Sequence, residues 1–134
     1  MTIHLQRDKS GPMRQTLSIR DHRLIADQSV EGGGEDAGPD PHEFYDSALG
    51  ACKALTVLWF ARRKGIPVED VLVEVERDGS QERQGVYKLK TSLTFVGDQL
   101  TDEHRQQLLA VAEKCPVHKL MTQVTTEIET VMAG

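Results

Sequence analysis

Residues 40–65, DPHEFYDSALGACKALTVLWFARRKG, constrain this chain more than any other stretch. Apart from Gly50 the run has no helix breaker. Both of its ends also carry the punctuation a helix needs. Asp40 is a suitable N-cap, and Pro41 suits the first helical position, where no backbone N–H is required. Arg62, Arg63 and Lys64 fall in the last turn, where cations complement the helix dipole, and Gly65 supplies the stop. The pattern predicts one long helix from Pro41 to Lys64. With Cys52 as reference, Tyr45, Ala48, Leu49, Leu55, Thr56 and Trp59 share its face. That stripe is mostly apolar, so the helix is expected to be buried at the centre of the fold. Its most apolar part, residues 48–61, contains Lys53 and is too short to cross a bilayer.

The segments around this helix read as strands and one further helix. Ile3 with Leu5, then Met13, Leu17 and Ile19, then Leu24–Ala26 mark three short antiparallel strands separated by turn signals. Residues 30–41, VEGGGEDAGPDP, hold three successive glycines and two prolines and form a loop. Val71, Val73 and Val75 alternate in VLVEVE, the mark of a half-buried strand, and RDGSQERQG is a polar hairpin connection. Residues 86–96 alternate again, with Tyr87, Leu89, Leu93 and Phe95 on one side. A second helix starts at Thr101, with Asp102 and Glu103 in its first turn. Leu108, Leu109, Val111, Ala112 and Cys115 make its buried face. Pro116 breaks that helix and opens a short new one, and VTTEIETVM, residues 124–132, is expected to close the chain as a final strand. The order βββ–α–ββ–α–(α)–β predicts an α+β fold, antiparallel sheet packed on two main helices, in a single domain over residues 1–134.

Composition narrows the function classes. The 134 residues carry a formal net charge of −5, with 16 basic and 21 acidic residues. The basic side chains are scattered, so neither nucleic acid nor an anionic membrane is an expected partner. The opening MTIHLQRDKS has no apolar core segment of the secretory kind, and a cytoplasmic location is expected. No phosphate-binding glycine motif follows GGG, and no GxSxG nucleophile signature occurs.

Two cysteines remain as carriers of chemistry, Cys52 and Cys115. A lone structural disulfide would be unusual in a reducing compartment. In EKCPVHKL, Cys115 precedes a helix expected to begin at Pro116. Free N–H groups, Lys114, Lys119 and His118 would then favour its thiolate. The competing reading is a thiol that merely fills the end of an apolar helix face. Cys52 lies inside an apolar helix beside Gly50 and Ala51, which let another group approach closely; taken alone it reads as a core residue. A zinc site from Cys115, His118, His42 and Cys52 fits less well, because structural zinc ligands come in short-spaced pairs on loops.

The two blocks PHEFYDSALGACKAL and AEKCPVHKLM, in this order and spacing, resemble the two cysteine regions of the OsmC/Ohr family of osmotically inducible and organic-hydroperoxide-resistance proteins. The likeness takes in the GG…GPxP loop and TDEHRQQLLAVAEKCPVH, and runs over nearly the whole chain. It implies an OsmC-like fold in an intertwined homodimer with active sites at the interface. It also implies a thiol peroxidase that reduces an organic hydroperoxide. Cys52 would attack the peroxide and Cys115 would resolve the resulting sulfenic acid as a disulfide. An external dithiol reductant, such as a lipoyl protein, would reset the pair, and no cofactor is needed. The family's thiolate partners are an arginine from the N-terminal strands, here Arg7 or else Arg14, and a glutamate after the loop proline, here Glu43, with His42 directly after Pro41. CPVH departs from the CP-aromatic-Ser form of the most active hydroperoxide branch, which places the chain nearer the OsmC-like branch. The alternative is a non-catalytic module of the same fold that binds a small molecule or serves a stress response.

Overall fold

Three antiparallel strands form because the apolar positions of residues 3–26 alternate and polar turns separate them. In the computed structural model, which describes residues 1–134, β1 spans Ile3–Arg7, β2 Gln15–Ile19 and β3 His22–Ala26. They pair in the order β1-β2-β3, and the register sets Leu5 opposite Leu17 and Leu17 opposite Leu24. These strands, the loop and the first turns of the long helix make up one compact unit, Met1–Ser47; Ala48–Gly134 make up a second.

The glycine-rich loop of the first unit is organised by one carboxylate. Asp27 is buried, and it accepts backbone hydrogen bonds from Gln28 N at 2.8 Å, Glu35 N at 3.2 Å and Ala37 N at 3.0 Å. Gly38 then passes close to β3: a Cβ there would lie 2.3 Å from the Ile25 carbonyl oxygen, so no larger residue fits. The Ala37 N–H does most to hold the Asp27 carboxyl below its ordinary value of 3.8, and the Gln28 and Glu35 N–H groups add to this against the cost of burial. Because the folded value lies below the unfolded one, this contribution is complete above about pH 3.8 and is lost as pH falls through the folded value. Asp27→Ala is therefore expected to speed amide exchange at Gln28, Glu35 and Ala37 roughly tenfold or more at neutral pH. Wild type should lose that protection only in acid. Unchanged exchange in the variant would mean the loop is held by something else.

The long helix, α1, spans Pro41–Lys64, as its punctuation predicts. Its start is a reciprocal cap: Asp40 Oδ1 accepts from Glu43 N at 2.8 Å, and Glu43 Oε1 accepts from Asp40 N at 3.0 Å. In the second unit follow β4 (Asp70–Asp78), β5 (Lys88–Val96), α2 (Asp102–Glu113) and α3 (Pro116–Gln123), with a short 3-10 turn at Glu82–Gln84 in the hairpin connection. Strands β4 and β5 pair antiparallel with Val71 opposite Phe95 and Val73 opposite Leu93. Thr101 caps α2, its Oγ1 accepting from His104 N while His104 Nδ1 accepts from Thr101 N. Val57, Ala61, Ile66, Phe95, Leu108 and Ala112 form the core of this unit, and Arg105 ties α2 to β5 through the Phe95 carbonyl at 2.7 Å. Gly50 brings α1 close to β4: a Cβ there would meet Val75 Cγ2 at 2.8 Å.

Two expectations need correction. The face of α1 turned to the core is not the Cys52 stripe but the line Leu49, Lys53, Val57 and Ala61, one residue every four. Of the predicted stripe only Leu49 is buried; Leu55 is 67% exposed and Trp59 60%, with Arg63 stacked over the indole at 5.0 Å. An all-round apolar helix has no preferred face in its pattern, so packing partners decide which side is covered. The predicted final strand over residues 124–132 is also absent. Neither sheet includes it, and Ile128, Val131 and Met132 stand exposed. Alternation makes a segment competent to pair, but without a neighbouring strand its backbone has no ladder to join.

Candidate active site

Pro116 determines the geometry of the site. It cannot continue α2, and its fixed φ suits the first position of a new helix, so the chain turns at Cys115 and restarts as α3. Cys115 becomes the N-cap: its backbone is extended and its Sγ accepts from the His118 N–H at 3.4 Å. The second free N–H of the same turn, Val117, donates at 3.5 Å to the sulfur of Cys52, which comes across from α1. One helix N-terminus thus gathers both thiols of the chain, and both are free. Backbone N–H groups and the positive end of a helix dipole are suited to developing negative charge.

The two sulfurs differ in access. Cys115 is wholly buried at the end of the Leu108–Ala112 face, whereas Cys52 is half-buried and lines an open groove of about 640 Å³. Ala48, Ala51, Leu55, Thr56, Trp59 and Pro116 give that groove an apolar lining, and Lys114 adds a cation. Burial pushes the Cys115 thiol above its ordinary value, and its hydrogen bond with Cys52 acts in the same direction. The His118 N–H and the charge of Lys53 pull it back without overcoming burial. The expected lowering by the helix terminus is therefore present but outweighed.

Lys53 is the residue that sequence reasoning passed over. It is 3% exposed, and its Nζ donates to the Ala112 carbonyl at 2.9 Å and meets His118 Nδ1 at 2.9 Å. The available signal was a lysine four residues from Leu49 and four from Val57, on the face that the core covers. His118 was expected to tune Cys115 through its ring; its backbone does so, and the ring is turned to Lys53. Lys114 and Lys119, the other expected tuners, are exposed.

Cys52 and Cys115 are thus brought together within the second unit. Arg7 and Glu43 belong to the first, where each holds a local bond. Arg7 Nη1 donates to the Gly11 carbonyl at 3.4 Å, and Glu43 closes the cap of α1. Arg14, the other candidate arginine, reaches Ser10 Oγ at 3.3 Å and Glu35 Oε1 at 3.4 Å. His42 is exposed in the first turn of α1. No cluster of three His, Cys, Asp or Glu side chains is placed to hold a metal ion, and no helix is long and apolar enough to cross a membrane.

The chain is thus an α+β protein with antiparallel sheets and three helices that holds two free thiols at a helix restart. Residues 32–130 match the family model for OsmC-like protein, and the chain belongs to that family. Among solved structures it resembles an OsmC-like protein from Mycoplasma pneumoniae, at 17% identity over 92% of this chain and 87% of that one, with a TM-score of 0.73. An organic hydroperoxide resistance protein OsmC from Legionella pneumophila aligns at 23% identity, 92% and 90% coverage and a TM-score of 0.61. The organic hydroperoxide resistance protein OhrB of Bacillus subtilis aligns at 19%, 92% and 92%, and 0.59. At these identities the likeness establishes the fold. No curated protein sequence matches the chain.

Proposed function

We propose that the chain is a cytoplasmic, homodimeric thiol peroxidase that reduces organic hydroperoxides through Cys52 and Cys115. The observation that carries this reading is the arrangement of the two sulfurs. Cys52 faces an apolar groove and Cys115 is buried behind it, both at the start of α3. The Cys52 thiolate attacks the distal peroxide oxygen, the O–O bond breaks, and the alcohol leaves with a proton. Cys52 is then a sulfenic acid. Cys115 displaces its hydroxyl as water and a disulfide forms, with both cysteines oxidised by one level and the peroxide reduced by two electrons. An external dithiol returns the pair to thiols. Arg7 and Glu43 are proposed as the charged partners of the Cys52 thiolate, as the family resemblance implies. The exposed Leu55 and Trp59 on α1, with the alternating segment 124–132 outside both sheets, support an intertwined dimer in which a second copy packs along the rim of the groove and leaves its opening to Cys52.

A binding module with unreactive thiols is the second reading. It is favoured by the raised Cys115 thiol and by the engagement of Glu43 in the cap of α1. Intact-protein mass spectrometry after one equivalent of cumene hydroperoxide separates the two. A loss of two hydrogens, mapped to a Cys52–Cys115 disulfide, is the expected result. Gain of two oxygens on Cys52 would remove Cys115 from the resolving role, and an unchanged mass would leave the binding module.

A further inference from the structure

Lys53 carries an ammonium into the interior of the second unit, where desolvation makes an isolated charge costly. Its two partners are a main-chain carbonyl near the C-terminal end of α2 and an imidazole nitrogen of α3, and neither is a carboxylate. An ammonium has donors only, so the contact with charged Lys53 requires Nδ1 to be the acceptor. The same imidazole belongs to the residue whose backbone N–H is bonded to Cys115 Sγ. The cation is thus fixed at three elements, α1, α2 and α3, around one buried sulfur.

Access decides which sulfur of a Cys52–Cys115 disulfide an external thiolate meets. Cys52 opens to the groove and Cys115 has no exposed surface, so attack falls on Cys52 Sγ and Cys115 is the leaving group. The S–S bond breaks, its electron pair goes to Cys115 Sγ, and the reductant sulfur becomes bonded to Cys52. The second thiol of the reductant then closes its own disulfide and releases Cys52. The two protons the dithiol gives up end on the two protein thiols. Negative charge therefore appears in the least hydrated part of the site, on a sulfur that burial alone would make a poor leaving group.

We propose that Lys53 is a positioning residue for this step: its ammonium, locked between Ala112 O and His118 Nδ1, stabilises Cys115 as the thiolate expelled when a dithiol reopens the disulfide. This rests on reading Cys52 and Cys115 as a redox pair. The direction in which the Lys53 charge acts on the Cys115 thiol agrees with it. The titratable groups facing Cys115 are Cys52 and Lys53 from α1 and His118 from α3, with exposed Lys114 beside it in the chain.

Two measurements on folded protein test it. In a Cys52→Ala background, where Cys115 is the sole thiol, the ultraviolet absorbance of the thiolate is followed against pH. Lys53→Met should move that titration to higher pH, and His118→Leu should move it partway by freeing the ammonium. His118→Asn, which keeps an acceptor near the Nδ1 position, should leave it in place. In the two-cysteine protein, reduction of the preformed disulfide by dihydrolipoamide should slow on the order of tenfold in Lys53→Met. If Lys53→Met fails to fold, the His118→Leu and His118→Asn pair carries the test alone. An unmoved titration in folded Lys53→Met, or equal titrations in the two His118 variants, overturns the role of Lys53. Failure of wild type to consume peroxide while the titration shifts as stated would sink the peroxidase reading and leave the role of Lys53 standing.

Discussion

Cys52→Ser is expected to reduce hydroperoxide consumption to the uncatalysed background, whereas Cys115→Ser keeps one turnover and then stalls. The asymmetry follows from access and chemistry together. Only Cys52 opens to the groove, and a serine hydroxyl lacks the nucleophilicity of a thiolate toward peroxide oxygen. Cys115 is buried, and in the proposed cycle it acts after the first oxidation. Without it the Cys52 sulfenic acid has no partner thiol, persists, and climbs to sulfinic acid when more peroxide is supplied. Intact mass should show a one-oxygen adduct and then a two-oxygen adduct in Cys115→Ser, and neither in Cys52→Ser. Peroxide consumption that survives in Cys52→Ser would end the peroxidase proposal. The same Cys115→Ser protein, assayed with excess small thiol, should recover turnover, because an external thiol can replace the missing internal one.

Leu108→Ala carries the largest expected loss of stability, about 3–5 kcal/mol. Leu108 is 0% exposed and sits among Val57, Ala61, Phe95 and Ala112, where α1, α2 and β5 meet. Truncation removes buried apolar surface and leaves a cavity that three elements cannot all close at once. Leu109, one position on and 42% exposed, is the control, and its alanine variant should cost less than about 1 kcal/mol. Urea denaturation at fixed protein concentration reads both. Because Ala112 and Cys115 lie on the same face as Leu108, the variant should also loosen the Lys53–Ala112 contact, so its Cys52–Cys115 disulfide should be reduced more slowly. A Leu108→Ala protein as stable as Leu109→Ala would show that the core lies elsewhere.

Much of the architecture is written locally. Asp40 and Pro41 start α1, Arg62–Gly65 stop it, Thr101 caps α2, and Pro116 forces the break that makes Cys115 an N-cap. Alternation at Val71–Val75 and Leu89–Phe95 placed β4 and β5 to within two residues. These signals depend on a few neighbouring residues, so a single sequence carries them. Face assignment on α1 was not legible in the same way. Tyr45, Ala48, Leu55 and Trp59 are as apolar as Leu49, Val57 and Ala61, and periodicity cannot rank two apolar stripes. Lys53 was harder still: in sequence it is a charge interrupting an apolar run, and only packing shows that it is enclosed.

The sequence by itself determined the element order, the two helix boundaries that flank the thiols, and membership of the OsmC-like family. Tertiary structure decided which stripe of α1 meets the core, left segment 124–132 without a ladder, and set Lys53 and His118 beside Cys115. The division has a physical cause. Capping, proline breaks and strand alternation are short-range properties of the backbone. The meeting of Cys52 with Val117 and of Lys53 with Ala112 joins residues 65 and 59 positions apart, and only the packing of α1 against α2 and α3 brings them within hydrogen-bond reach.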